Sequence, residues 1–248
     1  MAALIPADMT NLDRIALAWF LVTWLGYGTV MSLIAGGGIT TRMHQVRRAW
    51  MHTMLGRENR ITDASLIGHT VHSATFFAST SMVALAAMLG TLGAFDHSYA
   101  VLDTLDFTAR TSRALAEAKV LLLLAVFAHT FLKLCWSLRQ LNYCLALIGA
   151  SPIKPAAVER NAIAGELAAL LSLAIGSFNA GVRGYMFALA ALSWLLGPEA
   201  FLVVTSGIVA MLVWRQFGSA TAVAIQRSHA VLVGPAVTPT ETDSPAYR

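Results

Sequence analysis

The stretch KVLLLLAVFAHTFLKLCWSLRQLNYCLALI at 119–148 decides how this chain is read. It holds no Gly or Pro, and it outlasts the roughly 20 apolar residues that cross about 30 Å of hydrocarbon. It reads as a transmembrane helix that carries two polar groups, His129 and Lys133, in its middle. Working outward, further apolar runs lie near 15–35, 64–92, 181–196 and 200–214. Composition agrees with this reading. Of 248 residues, 57% are hydrophobic and 12% charged, against roughly 25% charged in soluble domains. Mean hydropathy is +0.65. So few charges can hardly cover a soluble core, and lipid is the expected solvent.

The breaks between runs are legible. Gly36-Gly37-Gly38 ends the first, Ser151-Pro152-Ile153-Lys154-Pro155 follows the third, and Gly197-Pro198-Glu199 is a hairpin turn. Orientation follows from the arginines. Arg42, Arg47, Arg48, Arg57 and Arg60 fill the first connection, which the positive-inside rule puts in the cytoplasm. Asp96, Asp103, Asp106 and Glu117 against Arg110 and Arg113 suit the outer side. Arg139, Lys154 and Arg160 return inside, and so do Arg215 and Arg227.

Five spans satisfy this scheme, with the N-terminus outside and the C-terminus in the cytoplasm. Treating 162–178 as a sixth span would send Arg215 and Arg227 outward. The segment 156–178 is therefore expected as an interfacial or re-entrant helix. The expected architecture is an all-α integral membrane bundle, one transmembrane domain over 1–234, with a disordered tail at 235–248. The start of the chain lacks the basic region of a cleaved signal peptide, so the first run is read as a retained helix.

Several separate stretches resemble a known family. They are Trp50-Met51 with Arg60-Ile61-Thr62-Asp63, SATFFAST at 73–80, KLCWSLRQLN at 133–142 and FNAGVRGYMF at 178–187. Together they are similar to the uncharacterised membrane proteins grouped as domain of unknown function 599, over about 19–217. The resemblance implies a multi-pass bacterial inner-membrane protein and brings no reaction or ligand. It also implies an asparagine near position 69, a second tyrosine near 186 and a carboxylate at 177. Here those places hold His69, Met186 and Ser177, which detaches His69 and Met186 from any family role.

Lys133 is the most informative polar residue. A mid-span lysine costs about 2.5–3.5 kcal/mol on insertion scales, which makes it a site candidate, with snorkelling to the nearby cytoplasmic edge as the structural alternative. His129 lies four residues earlier on the same face. Asn179 and Arg183 share a face of the next polar stretch, and Arg183 can snorkel or pair with Glu166. Gly176, Ala180, Gly184 and Ala188 recur every fourth residue, a packing face within the bundle or between subunits. Arg139, Asn142 and Asp63 complete the polar candidates.

His69, His72 and His129 fall at comparable depths and form a weak bis-histidine haem b set; the expectation is no cofactor. Cys135 and Cys144 lack metal or redox spacing and read as buried small hydrophobes. Trp19, Trp50, Trp194 and Trp214 read as interfacial anchors, and Trp136 as a packing residue.

No H-E-x-x-H, P-loop or nucleophile elbow occurs, so a non-enzymatic role is expected. Net charge of +4 clusters between spans, which argues against nucleic acid. The partners expected are membrane lipid and a second copy or a larger membrane complex. The function expected is a small transporter or channel with a polar intramembrane site. An accessory or assembly subunit is the alternative, and a haem-binding membrane protein a minor one.

Overall fold

The computed structural model describes residues 8–34, 38–95 and 112–234. The acidic connection around 96–111 and the tail at 235–248 lie outside the described residues. The described chain is helical: α1 (Asn11–Ile34), α2 (Ile39–Leu55), α3 (Ile61–Gly93), α4 (Arg113–Ala150), α5 (Ala157–Ser193), α6 (Pro198–Phe217) and α7 (Ala220–Val233). A 3-10 turn, Trp194–Leu196, links α5 to α6. Five stretches are long and apolar enough to cross a membrane: Asn11–Ile34, Ile61–Gly93, Arg113–Ala150, Ala157–Leu196 and Pro198–Val233. The chain is a membrane protein.

Local chemistry sets the helix ends. Thr10 and Asp13 cap α1 reciprocally: the Thr10 hydroxyl accepts from the Asp13 N–H at 3.1 Å, and the Asp13 carboxylate accepts from the Thr10 N–H at 3.0 Å. Ser112 and Ser219 accept N–H bonds at the starts of α4 and α7. Gly197 takes a φ of 136°, a value that favours glycine, and Pro198 opens α6.

The expected break between 156–178 and the span near 181–196 is absent, because α5 runs unbroken from Ala157 to Ser193. At 37 residues it is roughly 55 Å long. Gly181 and Gly184 are close packing positions on this unbroken helix. A Cβ at Gly181 would lie 2.6 Å from Leu134 Cγ, and one at Gly184 only 1.9 Å from Thr130 Oγ1. Their bare backbone lets α4 and α5 pack closely, and the segment 156–178 lays one face on α4 and α2 as the first part of the continuous helix. The short polar helix is α2, which packs along the first part of α5.

Two cores result. Around Phe20, Val126, Phe187, Trp194 and Phe201, the α1, α4, α5 and α6 helices meet through aromatic rings. Trp194 stacks on Phe201 at 5.0 Å, and Phe20 meets Phe187 edge-on at 5.8 Å. At the α2 end the core is aliphatic, with Met51, Met54, Ile67, Leu141, Cys144 and Leu167. Cys144 is buried and Cys135 half-buried, both as free thiols. Trp194 is thus a core residue and not an interfacial anchor. Trp136 is exposed, because α5 covers the Thr130–Leu134–Ser137 side of α4 and leaves position 136 facing outward.

Candidate functional site

Helix α4 sets His129 and Lys133 one turn apart, and α5 brings Arg183 opposite them. These groups line one cavity of about 310 Å³ between α1, α4 and α5. Trp24, Leu25, Gly28 and Thr29 form its α1 wall, and Phe187 closes it towards the aromatic core. Gly184 and Ala180 contribute almost no side chain on the α5 side, and that leaves the space open.

Arg183 is held by stacking. Its guanidinium lies over the Tyr27 ring at 5.0 Å, a cation–π contact that positions the charge without cancelling it. Gly28 lies beside it: a Cβ there would sit 3.5 Å from Nη2 of Arg183, an ordinary contact distance. His129 meets the Trp24 ring edge-on at 5.4 Å. The pairing of Arg183 with Glu166 does not form, since 17 positions of continuous helix hold them roughly 25 Å apart.

The electrostatics of the cavity are one-sided. Among the described residues neither Lys133 nor Arg183 has a carboxylate within ion-pair reach. Ion pairs form elsewhere, among them Arg57–Asp63, Arg113–Glu117 and Lys154–Glu58. Two cations from two helices therefore face one space with no counter-charge. Such an arrangement can bind an anion.

Other candidates are placed differently. Asp63 is fully buried and saturated: it accepts from Trp50 Nε1 at 2.7 Å and from Arg57 Nη1 at 2.7 and 2.9 Å. It ties α2 to the start of α3 and does not line the cavity. Beside it, Arg60 donates to the carbonyls of Ile148, Ser151 and Pro152, closing the C-terminal end of α4. Arg139 is exposed and donates to the Tyr143 hydroxyl at 2.6 Å, while Asn142 and Asn179 are exposed outside the cavity. His69 and His72 are exposed on α3 and do not reach the cavity that holds His129. The expected packing face is split: Gly184 and Ala188 are buried, Ala180 lines the cavity, and Gly176 is exposed.

Sequence reasoning missed the α1 wall and a buried cation. The wall's signal was Trp24, Tyr27 and Gly28 within five residues. The cation is Lys119, 1% exposed, whose ammonium lies 5.7 Å from the Trp194 ring. Asp13, which accepts from Trp194 Nε1 at 2.8 Å, lies in the same cluster. The Thr10–Asp13 capping pattern was its sequence signal.

No curated protein and no solved structure matches this chain. The sequence model of one family, described as a protein of unknown function, DUF599, matches residues 15–221. The chain belongs to that family.

Proposed function

We propose that this protein is a small anion transporter or channel-like protein of the bacterial inner membrane. Its binding site is the cavity of Lys133, Arg183 and His129. The observation that carries the reading is the pair of cations lining one cavity without a carboxylate among the described residues. An uncompensated cation at membrane depth is costly and is kept where a pathway uses it. Anion-selective pores are lined by Arg and Lys for the same reason. Arg183 lies ten residues before the end of α5, roughly 15 Å along the helix and so near the middle of a hydrocarbon layer. The arginines of the α2 end favour a cytoplasmic placement for that end, with the N-terminus outside.

The test is flux into liposomes that carry the purified protein, using chloride, nitrate, phosphate and small carboxylates. Wild type is compared with Lys133→Ala and Arg183→Ala. At least one anion should cross faster than into empty liposomes, and each variant should lower that flux by about tenfold, the equivalent of one lost charge contact. Flux equal to empty liposomes for every anion would remove the reading.

A further inference from the structure

We infer that His44, Arg47 and Ser172 form a second anion-binding site, a vestibule from which a ligand passes along an open face of α5 to the cavity. The inference rests on the reading of the cavity as an anion site and adds where the ligand enters.

Helix α2 packs antiparallel to the start of α5, and this brings Arg47 to Ser172. Arg47 Nη1 donates to the Ser172 hydroxyl at 3.1 Å, and that oxygen lies 3.0 Å from His44 Nδ1. The serine has one hydrogen to give. Since it accepts from Arg47, it is set to donate to Nδ1, which leaves the histidine's proton on Nε2. Arg47 spends one of its five N–H donors on this bond. No carboxylate among the described residues pairs with it. Burial pushes the Arg47 guanidinium below its ordinary value. A partly desolvated cation with donors to spare is stabilised by an anion that supplies both charge and acceptors.

The route follows from helix geometry. Ser172 and Arg183 are 11 residues apart, about three turns, so they share a face roughly 16 Å from one another. Gly176, Asn179 and Ala180 lie between them on that face. Ala180 lines the cavity. Gly176 is exposed, and a Cβ built on it meets nothing within 4 Å. The strip between the two cationic sites therefore carries one sizeable side chain, the exposed polar amide of Asn179, and otherwise only Gly176 and Ala180. A small-residue strip alone would equally suit lipid or a second helix; cationic sites at both ends distinguish this one.

The experiment reads water and charge at Gly176. Gly176→Cys in a Cys135→Ala background is reconstituted and treated with 2-sulfonatoethyl methanethiosulfonate, which is anionic. The trimethylammonium analogue is the cationic control, and the parent without the new thiol is the blank. The anionic reagent should label from the α2 side, and Arg47→Gln should slow it by about tenfold through loss of local focusing while leaving the cationic reagent unslowed. Absence of labelling, or labelling indifferent to Arg47→Gln, overturns the vestibule. If flux depends on Arg183 but position 176 does not label, the cavity stands and the vestibule falls. If labelling depends on Arg47 and no anion crosses, the vestibule stands and the transport reading falls.

Discussion

Two cationic regions of this molecule have opposite electrostatics. At the turn between α2 and α3, Arg57 meets the buried Asp63, and Arg60 donates from Nη1 and Nη2 to three carbonyls, its buried Nε alone lacking a partner among the described residues. In the cavity, Arg183 rests on a ring and Lys133 faces open space, with no carboxylate near either among the described residues. The residue types are the same, but in the first region the fold itself satisfies the charges. In the second the described residues supply only a position, and on the proposed reading the compensating charge comes from a ligand. This is why Asp63, a site candidate by sequence, belongs to the scaffold.

Removing charge should therefore destabilise one region and relieve the other. The largest effect is expected from Asp63→Ala, which leaves the Trp50 N–H without an acceptor and Arg57 without its partner. A buried pair broken in this way loses 3–5 kcal/mol; because the Arg57 side chain is 46% exposed and can turn to water, about 2 kcal/mol is expected. Thermal unfolding in detergent measures it. Lys133→Met should move in the other direction and gain about 1 kcal/mol, since an uncompensated cation is replaced by an apolar chain of similar length. Flux should fall in the same variant. A loss of stability comparable to that of Asp63→Ala would break the comparison by showing that Lys133 is structurally paired.

The smallest effect concerns an exposed carboxylate, the counter-case to Asp63. Hydrogen bonding from Ser112 holds the Asp8 carboxyl below its ordinary value, and the backbone bond measures 3.0 Å. With the folded value depressed, the contribution is fully present above the unfolded value of about 3.9 and is lost as pH falls below it. Asp8→Asn should lower the melting temperature slightly near pH 6, and the difference from wild type should shrink as pH falls from the unfolded value through the depressed folded one. A difference that does not shrink on acidification would mean the ionised carboxyl is not what holds the start of α4.

How much of the site was legible depended on periodicity. His129 and Lys133 are four residues apart in an apolar run, which is enough to put them on one face, and the cavity contains both. Arg183 was legible as a polar residue, but its partner was not. Glu166 looked near only while a break was assumed near 178, and the stacking ring came from α1, more than 150 positions away. Orientation by charge caused the main misreading: keeping Arg215 and Arg227 inside led the reading to end a segment near 178, and the neighbours that stand against Gly181 and Gly184, Leu134 and Thr130, belong to another helix. A tryptophan misled for the same reason: Trp194 sits near a span end, where an anchor is common, yet Asp13 and Phe201 draw it inside.

From the amino acids alone came the solvent, the helical class, five crossings and the face that joins His129 to Lys133. These depend on local quantities: the length of an apolar run and the 3.6-residue turn. Tertiary structure decided that α5 is continuous, that Arg183 meets the His129–Lys133 face across a shared space, and that Asp63 is already neutralised. Those outcomes turn on how closely two helix backbones approach and on which charges find partners. Both are properties of pairs of segments, and no single segment encodes them.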